Sequence, residues 1–208
     1  MGLSADQLRA SLDALASREP AFAAALARVG YPEPRIRERG YATLLRTIVG
    51  QQVSVAAAAS IWGKVEAALG GDAGDPARLI AVDDETLRGA GLSRQKIAYA
   101  RSLAEEVTSG RLDLQNLPED DEEAIRQLVA VKGIGRWSAE IYLLFAEGRT
   151  DIWPAGDLAV QIEIGRILGH AERPGEKAVR AVAENWRPHR GAAAIFAWHH
   201  YKSDMDVI

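Results

Sequence analysis

Glycines, indoles and one isolated carboxylate fall close together between Leu128 and Asp157, LVAVKGIGRWSAEIYLLFAEGRTDIWPAGD. Within it, Val131-Lys132-Gly133-Ile134-Gly135 sets two glycines around one apolar residue. Glycines so placed let the backbone turn through positive φ and approach a partner with no Cβ in the way. A helical pattern starts at once with Arg136-Trp137-Ser138-Ala139, so its unpaired N–H groups and positive dipole end point out of the turn. Such a terminus attracts anions, and a nucleic-acid phosphate is the natural guest. A tight helix–helix turn that needs glycine for geometry alone is the alternative. The stretch ends on Trp153-Pro154-Ala155-Gly156-Asp157, which puts a carboxylate at the start of the helix Leu158-Ala159-Val160-Gln161-Ile162. Asp is a favoured N-cap, contributing about 1 kcal/mol. A carboxylate is equally a group that stabilises developing positive charge or orients water.

The elements that must position these groups all read as helices. Leu8, Leu12 and Leu15 recur at helical spacing over 4–17, with Ser4 as N-cap and Asp6-Gln7 in the first turn. An alanine-rich helix over 20–29 ends at Gly30, and Tyr31-Pro32-Glu33-Pro34 is a loop. From 41 to 69 the pattern is apolar on more than one face, interrupted by Gly50-Gln51-Gln52, and predicts two buried helices. Helices follow over 76–82, 84–90 and 93–109, the last stopped by Gly110. The helix over 120–130 opens on acidic residues, as its dipole favours. Helices over 136–147, 157–169, 174–186 and 190–203 complete an all-α chain.

At 208 residues, the chain suits one domain or one two-lobed unit with a substantial core. It has no Cys, which excludes disulfides, thiolate metal sites and a Cys-ligated iron–sulfur cluster. No apolar run reaches the roughly 18 residues of a membrane span, and the first residues, MGLSADQLRASLDAL, are unlike a signal peptide. A soluble, cytoplasmic protein with no membrane partner is expected. The net charge of −4 argues against a sequence-independent electrostatic clamp, yet backbone N–H groups and a few basic side chains suffice to hold phosphates. His199-His200, with His189 upstream, is not read as a metal site, because adjacent helical side chains point about 100° apart.

Leu128 to Asp157 resembles the helix–hairpin–helix DNA glycosylases, whose signature is a hairpin, a Gly/Pro-rich loop and an aspartate. The chain is similar in particular to their alkylpurine branch, the DNA-3-methyladenine glycosylase II type. Three more segments agree, in order, between about residues 41 and 200. Ile48-Val49-Gly50-Gln51-Gln52-Val53-Ser54 is similar to the wedge-bearing segment. Gly91-Leu92-Ser93-Arg94-Gln95-Lys96 resembles a G-L-S-x-x-K helix start, and Trp186-Arg187-Pro188-His189-Arg190 a W-x-P-Y/H-R element.

The resemblance implies a two-lobed helical fold. Residues 41–150 form a central lobe with the hairpin at 129–136, and 1–40 plus 151–208 form a second lobe carrying the catalytic aspartate, Asp157. It implies a monofunctional, monomeric enzyme that binds double-stranded DNA containing alkylated bases and hydrolyses the N-glycosidic bond of alkylated purines. Trp137 stands where bifunctional members carry a lysine nucleophile, so no lyase activity is expected. Gln52 falls where the family inserts a side chain into the gap left by the flipped nucleotide, a local helix cap being its alternative. The carbonyls of Val129, Val131 and Gly133 fall where the family holds a monovalent cation, Na+ or K+; no other cofactor is required. Lys132, Gly133, Ile134, Gly135 and Arg136, with Arg94 and Lys96, are the backbone-contact candidates, a solvated face being the alternative for the cations. Trp137, Trp153, Glu140, Ile141 and Leu158 are the base-pocket candidates. Leu158 stands where longer members often carry an aromatic residue, so the family's broad substrate range is not carried over to this chain. A non-catalytic hairpin module that senses damaged or distorted DNA is the rival from another class.

Overall fold

The computed structural model describes residues 2–205. Among them there is no strand, and no helix is long and apolar enough to cross a membrane. The helices in chain order are α1 (Ala5–Arg18), α2 (Pro20–Val29), α3 (Tyr41–Val49), α4 (Val55–Ala68), α5 (Pro76–Ala81) and α6 (Asp84–Gly89). They continue with α7 (Arg94–Thr108), α8 (Asp121–Val129), α9 (Arg136–Tyr142), α10 (Leu158–Ile167), α11 (Glu176–Val182) and α12 (Arg190–Met205). Two compact units result: residues 38–142 form one, and 1–37 with 143–208 form the other.

Local chemistry sets most of the helix starts. Ser4 and Gln7 form a reciprocal capping box on α1, Ser4 Oγ accepting Gln7 N–H and Gln7 Oε1 accepting Ser4 N–H. Ser54, Asp75, Asp83, Ser93 and Asp120 each accept a backbone N–H in the first turn of the helix they precede. Gly30 and Gly110 leave their helices at positive φ, the conformation that ends a helix at little cost only for glycine.

In the 38–142 unit, α3 buries Tyr41, Leu44, Leu45, Ile48 and Val49, and α7 buries Ile97, Ala100, Leu103 and Ala104. The expectation of two buried helices over 41–69 holds for α3 but not for α4. There only Trp62 and Val65 are buried, and Val55 is 89% exposed. Its alanines satisfy helix propensity without requiring a core partner. Arg101 on α7 secures α5 by donating to the carbonyls of Leu79, Ile80 and Val82.

The other unit is built on α1, α2, α10 and α12. Phe22 meets Trp186 edge to face at 5.0 Å and Phe196 at 5.9 Å. Leu8, Leu12 and Leu15 are fully buried. Residues 192–197 of α12 are buried on every side, which is why Gly191 and its alanines allow close packing: a Cβ at Gly191 would lie 2.7 Å from Thr150 O. Two predicted helices are broken where they were expected to be continuous. Residues 143–147 widen into a π-helical turn, where Phe145 O, in the last turn, accepts Arg37 N–H at 2.9 Å. Residues 183–186 tighten into a 3-10 turn that buries Trp186. The division between units accordingly falls within the helical run after the hairpin, at Tyr142 and Leu143, and not at 150.

The start of α12 also fixes the loop that leads to Asp157. Arg190 donates through Nε and Nη2 to both oxygens of Asp151, each at 2.9 Å, and through Nη1 to Glu184. Gly191 N–H donates to Thr150 O at 2.8 Å. Replacing Arg190, whose side chain is 9% exposed, with Met should lower stability by about 1 to 3 kcal/mol, because Asp151 loses two charge-assisted hydrogen bonds and keeps the one from Arg187 Nη1. Thermal or urea unfolding measures this.

Candidate functional site

The hairpin is held by contacts from within the 38–142 unit. Gly133 has φ +87°, and a Cβ there would stand 2.2 Å from Tyr99 Cγ, so the backbone lies directly on the tyrosine ring. Gln51 Nε2 donates to Gly133 O at 2.8 Å, and Lys132 N–H donates to Ser102 Oγ at 3.2 Å. Ile134 is buried and its N–H closes the turn onto Val131 O at 3.1 Å. Lys132 and Gly135 are exposed. Beside them lies an open, mainly polar cavity of about 380 Å³, lined by Gln51, Gln52, Lys96, Tyr99, Gly133 and Gly135 among others.

Gln52 sits on this rim at φ +56°, the one non-glycine residue at positive φ among those described. A left-handed residue without glycine is held by its surroundings. The preceding Gln51 is tied to the hairpin, and Lys96 Nζ donates to Val49 O at 2.7 Å. Burial lowers the Lys96 pKa. Lys96 thus anchors the end of α3 with one of its three N–H donors. Arg136 is engaged as well. Its guanidinium bridges Glu122 and Glu140, with Nε to Glu140 Oε1 at 2.9 Å and Nη1 to Glu122 Oε2 at 2.9 Å. The Glu122 hydrogen bonds, with the nearby Glu140 charge, raise its pKa further.

Asp157 caps α10 in the other unit. Its Oδ1 accepts Val160 N–H at 3.0 Å and the Trp198 indole Nε1–H at 3.1 Å. The carboxylate is half-buried and the following Leu158 is 57% exposed. The loop before it is fixed throughout: Asp157 N–H donates to Pro154 O, and Gln161 Nε2 donates to Ala155 O at 2.8 Å. Trp198 packs tilted against Phe145, with ring centroids 5.7 Å apart at 36°.

The helix–hairpin–helix pattern, the loop and the capping aspartate fall within residues 45–188, which match the family model for the HhH-GPD superfamily base excision DNA repair protein. The chain belongs to the HhH-GPD superfamily. It is 31% identical over 165 residues to DNA-3-methyladenine glycosylase 1 of Schizosaccharomyces pombe, covering 78% of this chain and 72% of that one. It is 30% identical to DNA-3-methyladenine glycosylase 2 of Escherichia coli, covering 84% of this chain and 64% of the relative. Among solved structures, the DNA-3-methyladenine glycosidase of Bacillus halodurans superposes with a TM-score of 0.88 at 31% identity, over 94% of this chain and 91% of that one. The S. pombe 3-methyladenine DNA glycosylase in complex with abasic DNA gives 0.78 at 28% identity, over 94% and 96%.

Among the base-pocket candidates of this HhH-GPD chain, the structure separates surface from interior. Trp137 is 47% exposed on the first turn of α9. Trp153 is 3% exposed, donates its indole N–H to Val179 O at 3.1 Å and packs edge to face on Trp186 at 5.5 Å. It is a core residue and is withdrawn as a pocket wall. Glu140 is 2% exposed and bonded to Arg136, and Ile141 is 6% exposed; both are interior. The i,i+4 spacing of Arg136 and Glu140 already signals that pair. Sequence reasoning missed Trp198, whose only signal is an indole N–H that a partly buried tryptophan must place.

The hairpin carbonyls fit a monovalent cation. Val131 O and Gly133 O each accept one hydrogen bond, and a carbonyl has two lone pairs. Among the described residues no cluster of His, Asp or Glu suits a metal ion. Gly133→Ala should lower stability by about 2 to 4 kcal/mol, combining left-handed strain with overlap on Tyr99. Adding Tyr99→Ala should restore part of that loss in thermal unfolding.

Proposed function

We propose that this chain is a monofunctional DNA glycosylase that hydrolyses the N-glycosidic bond of alkylated purines, of the 3-methyladenine type, in double-stranded DNA. The observation that carries the reading is Asp157, aimed by a fixed loop and held at one oxygen by Val160 and Trp198. The action on DNA is that of its relatives, named as DNA-3-methyladenine glycosylases. On this reading the protein acts as a monomer in the compartment that holds DNA: the cytoplasm, at the nucleoid, in a bacterial cell.

The chemistry follows from the reaction. A base inside a duplex cannot be reached, so the nucleotide must leave the stack at a cost of a few kcal/mol. A side chain entering the vacancy offsets part of that cost, and Gln52 is the candidate on its exposed turn. Its amide is also able to hydrogen-bond the orphaned base. The hairpin N–H groups of Gly133 and Gly135, with Lys132 and the exposed Arg94, serve the DNA backbone. A Na+ or K+ ion at the carbonyls of Val129, Val131 and Gly133 would add positive charge for a phosphate.

Loss of the base leaves an oxocarbenium-like sugar, and the Asp157 carboxylate stabilises that charge and orients the attacking water. A single carboxylate suffices because an alkylated purine is already cationic and departs without a dedicated general acid. The exposed indole of Trp137 offers such a ring a cation–π surface. Trp137 also stands where a lyase would need an amine, so the product is an intact abasic site.

Wild-type protein incubated with methylated duplex DNA should release methylated purines, identified by mass spectrometry. Asp157→Asn should release none while keeping its fold and its affinity for DNA. Wild type that binds the DNA and releases no base from any alkylated duplex would overturn the enzyme reading in favour of a damage sensor.

A further inference from the structure

Resting on the glycosylase reading, the geometry points to Glu163 and His200 as a pair of positioning residues that set the register of α12 against α10, and so the aim of Asp157. Glu163 is 0% exposed and His200 2% exposed. His200 Nδ1 donates to Glu163 Oε2 at 2.6 Å. Glu163 Oε1 accepts Arg166 Nη1 at 2.7 Å, and His200 Nε2 faces the Arg28 guanidinium of α2. Arginine only donates, so Nε2 is the accepting nitrogen and Nδ1 carries the proton. The network therefore reads in one direction, from Arg28 through His200 to Glu163.

The same two helices make a second polar link, Trp198 Nε1 to Asp157 Oδ1. On α10, Glu163 lies about 9 Å along the axis from Asp157. On α12, Trp198 and His200 are two residues apart and point roughly 200° from each other. Links at separate heights and on different sides of α12 restrict both its sliding and its rotation over α10. Apolar packing alone tolerates small shifts of that kind. A buried, hydrogen-bonded carboxylate does not, because leaving its partner uncovers the charge. Stability is a weak reason for the pair, since well-packed apolar residues of similar volume are often as stable. A single permitted register is the stronger one.

The test compares wild type with Glu163→Gln and with the volume-matched double variant Glu163→Met/His200→Phe. Folding is checked by thermal unfolding, base release by single-turnover kinetics on methylated duplex, and affinity on abasic duplex. The Trp198 indole N–H resonance, assigned through Trp198→Phe, reports the Asp157 link without reference to activity. Both variants should fold and bind abasic DNA as wild type does. Their single-turnover rate should fall by about 10- to 100-fold, the scale on which a misplaced group slows a reaction, and the indole resonance should move. If either the rate or the resonance stays at its wild-type value in every variant that folds, the assignment is overturned. Failure of the glycosylase reading is distinct, since wild type itself would then release no base while the resonance comparison still stands.

Discussion

Asp157 Oδ1 takes two N–H groups, one from the first turn of its own helix and one from the indole of Trp198 on α12, and much of the surrounding unit serves to bring those donors to that oxygen. The helix donor costs nothing extra, because α10 begins there and its first N–H groups need acceptors. The indole donor requires α12 to run past α10 at a defined height. Arg190 on Asp151, Gly191 on Thr150 and His200 on Glu163 fix that height along the length of α12. On the proposed reading the capping residue and the charge-stabilising residue are one group, and the structural role sets the orientation that the chemistry needs.

The hairpin answers a different constraint. It must present backbone N–H and C=O groups while remaining rigid, and small residues alone would leave it loose. Gly133 resolves this by lying on the Tyr99 ring, with Gln51 on its carbonyl and Ser102 on the neighbouring amide. Gln51 also precedes Gln52, so the residue held at positive φ and the hairpin share one anchor. Arg136 is matched to two glutamates and Lys96 to a backbone carbonyl, which accords with a chain of net charge −4.

Features set by neighbours in sequence were legible there. Ser4 with Gln7, Gly30, Gly110 and the acidic start of α8 mark helix ends through local hydrogen bonds and backbone freedom, and the structure has them as expected. The break at Gly50-Gln51-Gln52 is legible, but its left-handed turn is not, since that depends on Lys96 and on the hairpin. Spacing to Asp157 makes Trp153 look like a pocket residue, whereas its partners Val179 and Trp186 arrive from later helices and place it in the core. Trp198 is invisible for the same reason: its hydrogen bond joins residues far apart in the chain. The π turn at 143–147 carries a hydrogen bond from the distant Arg37 N–H to Phe145 O, which no periodicity within 136–147 encodes.

The central claim is that the Asp157 carboxylate stabilises positive charge on the sugar. Its most direct measurement is the affinity of wild type and Asp157→Asn for duplex DNA carrying a cationic pyrrolidine abasic analogue, set against the neutral tetrahydrofuran analogue. Wild type should prefer the cationic analogue by about 100-fold, as expected for a transition-state mimic, and Asp157→Asn should lose nearly all of that preference while binding the neutral analogue unchanged. An equal preference in both proteins would contradict the account.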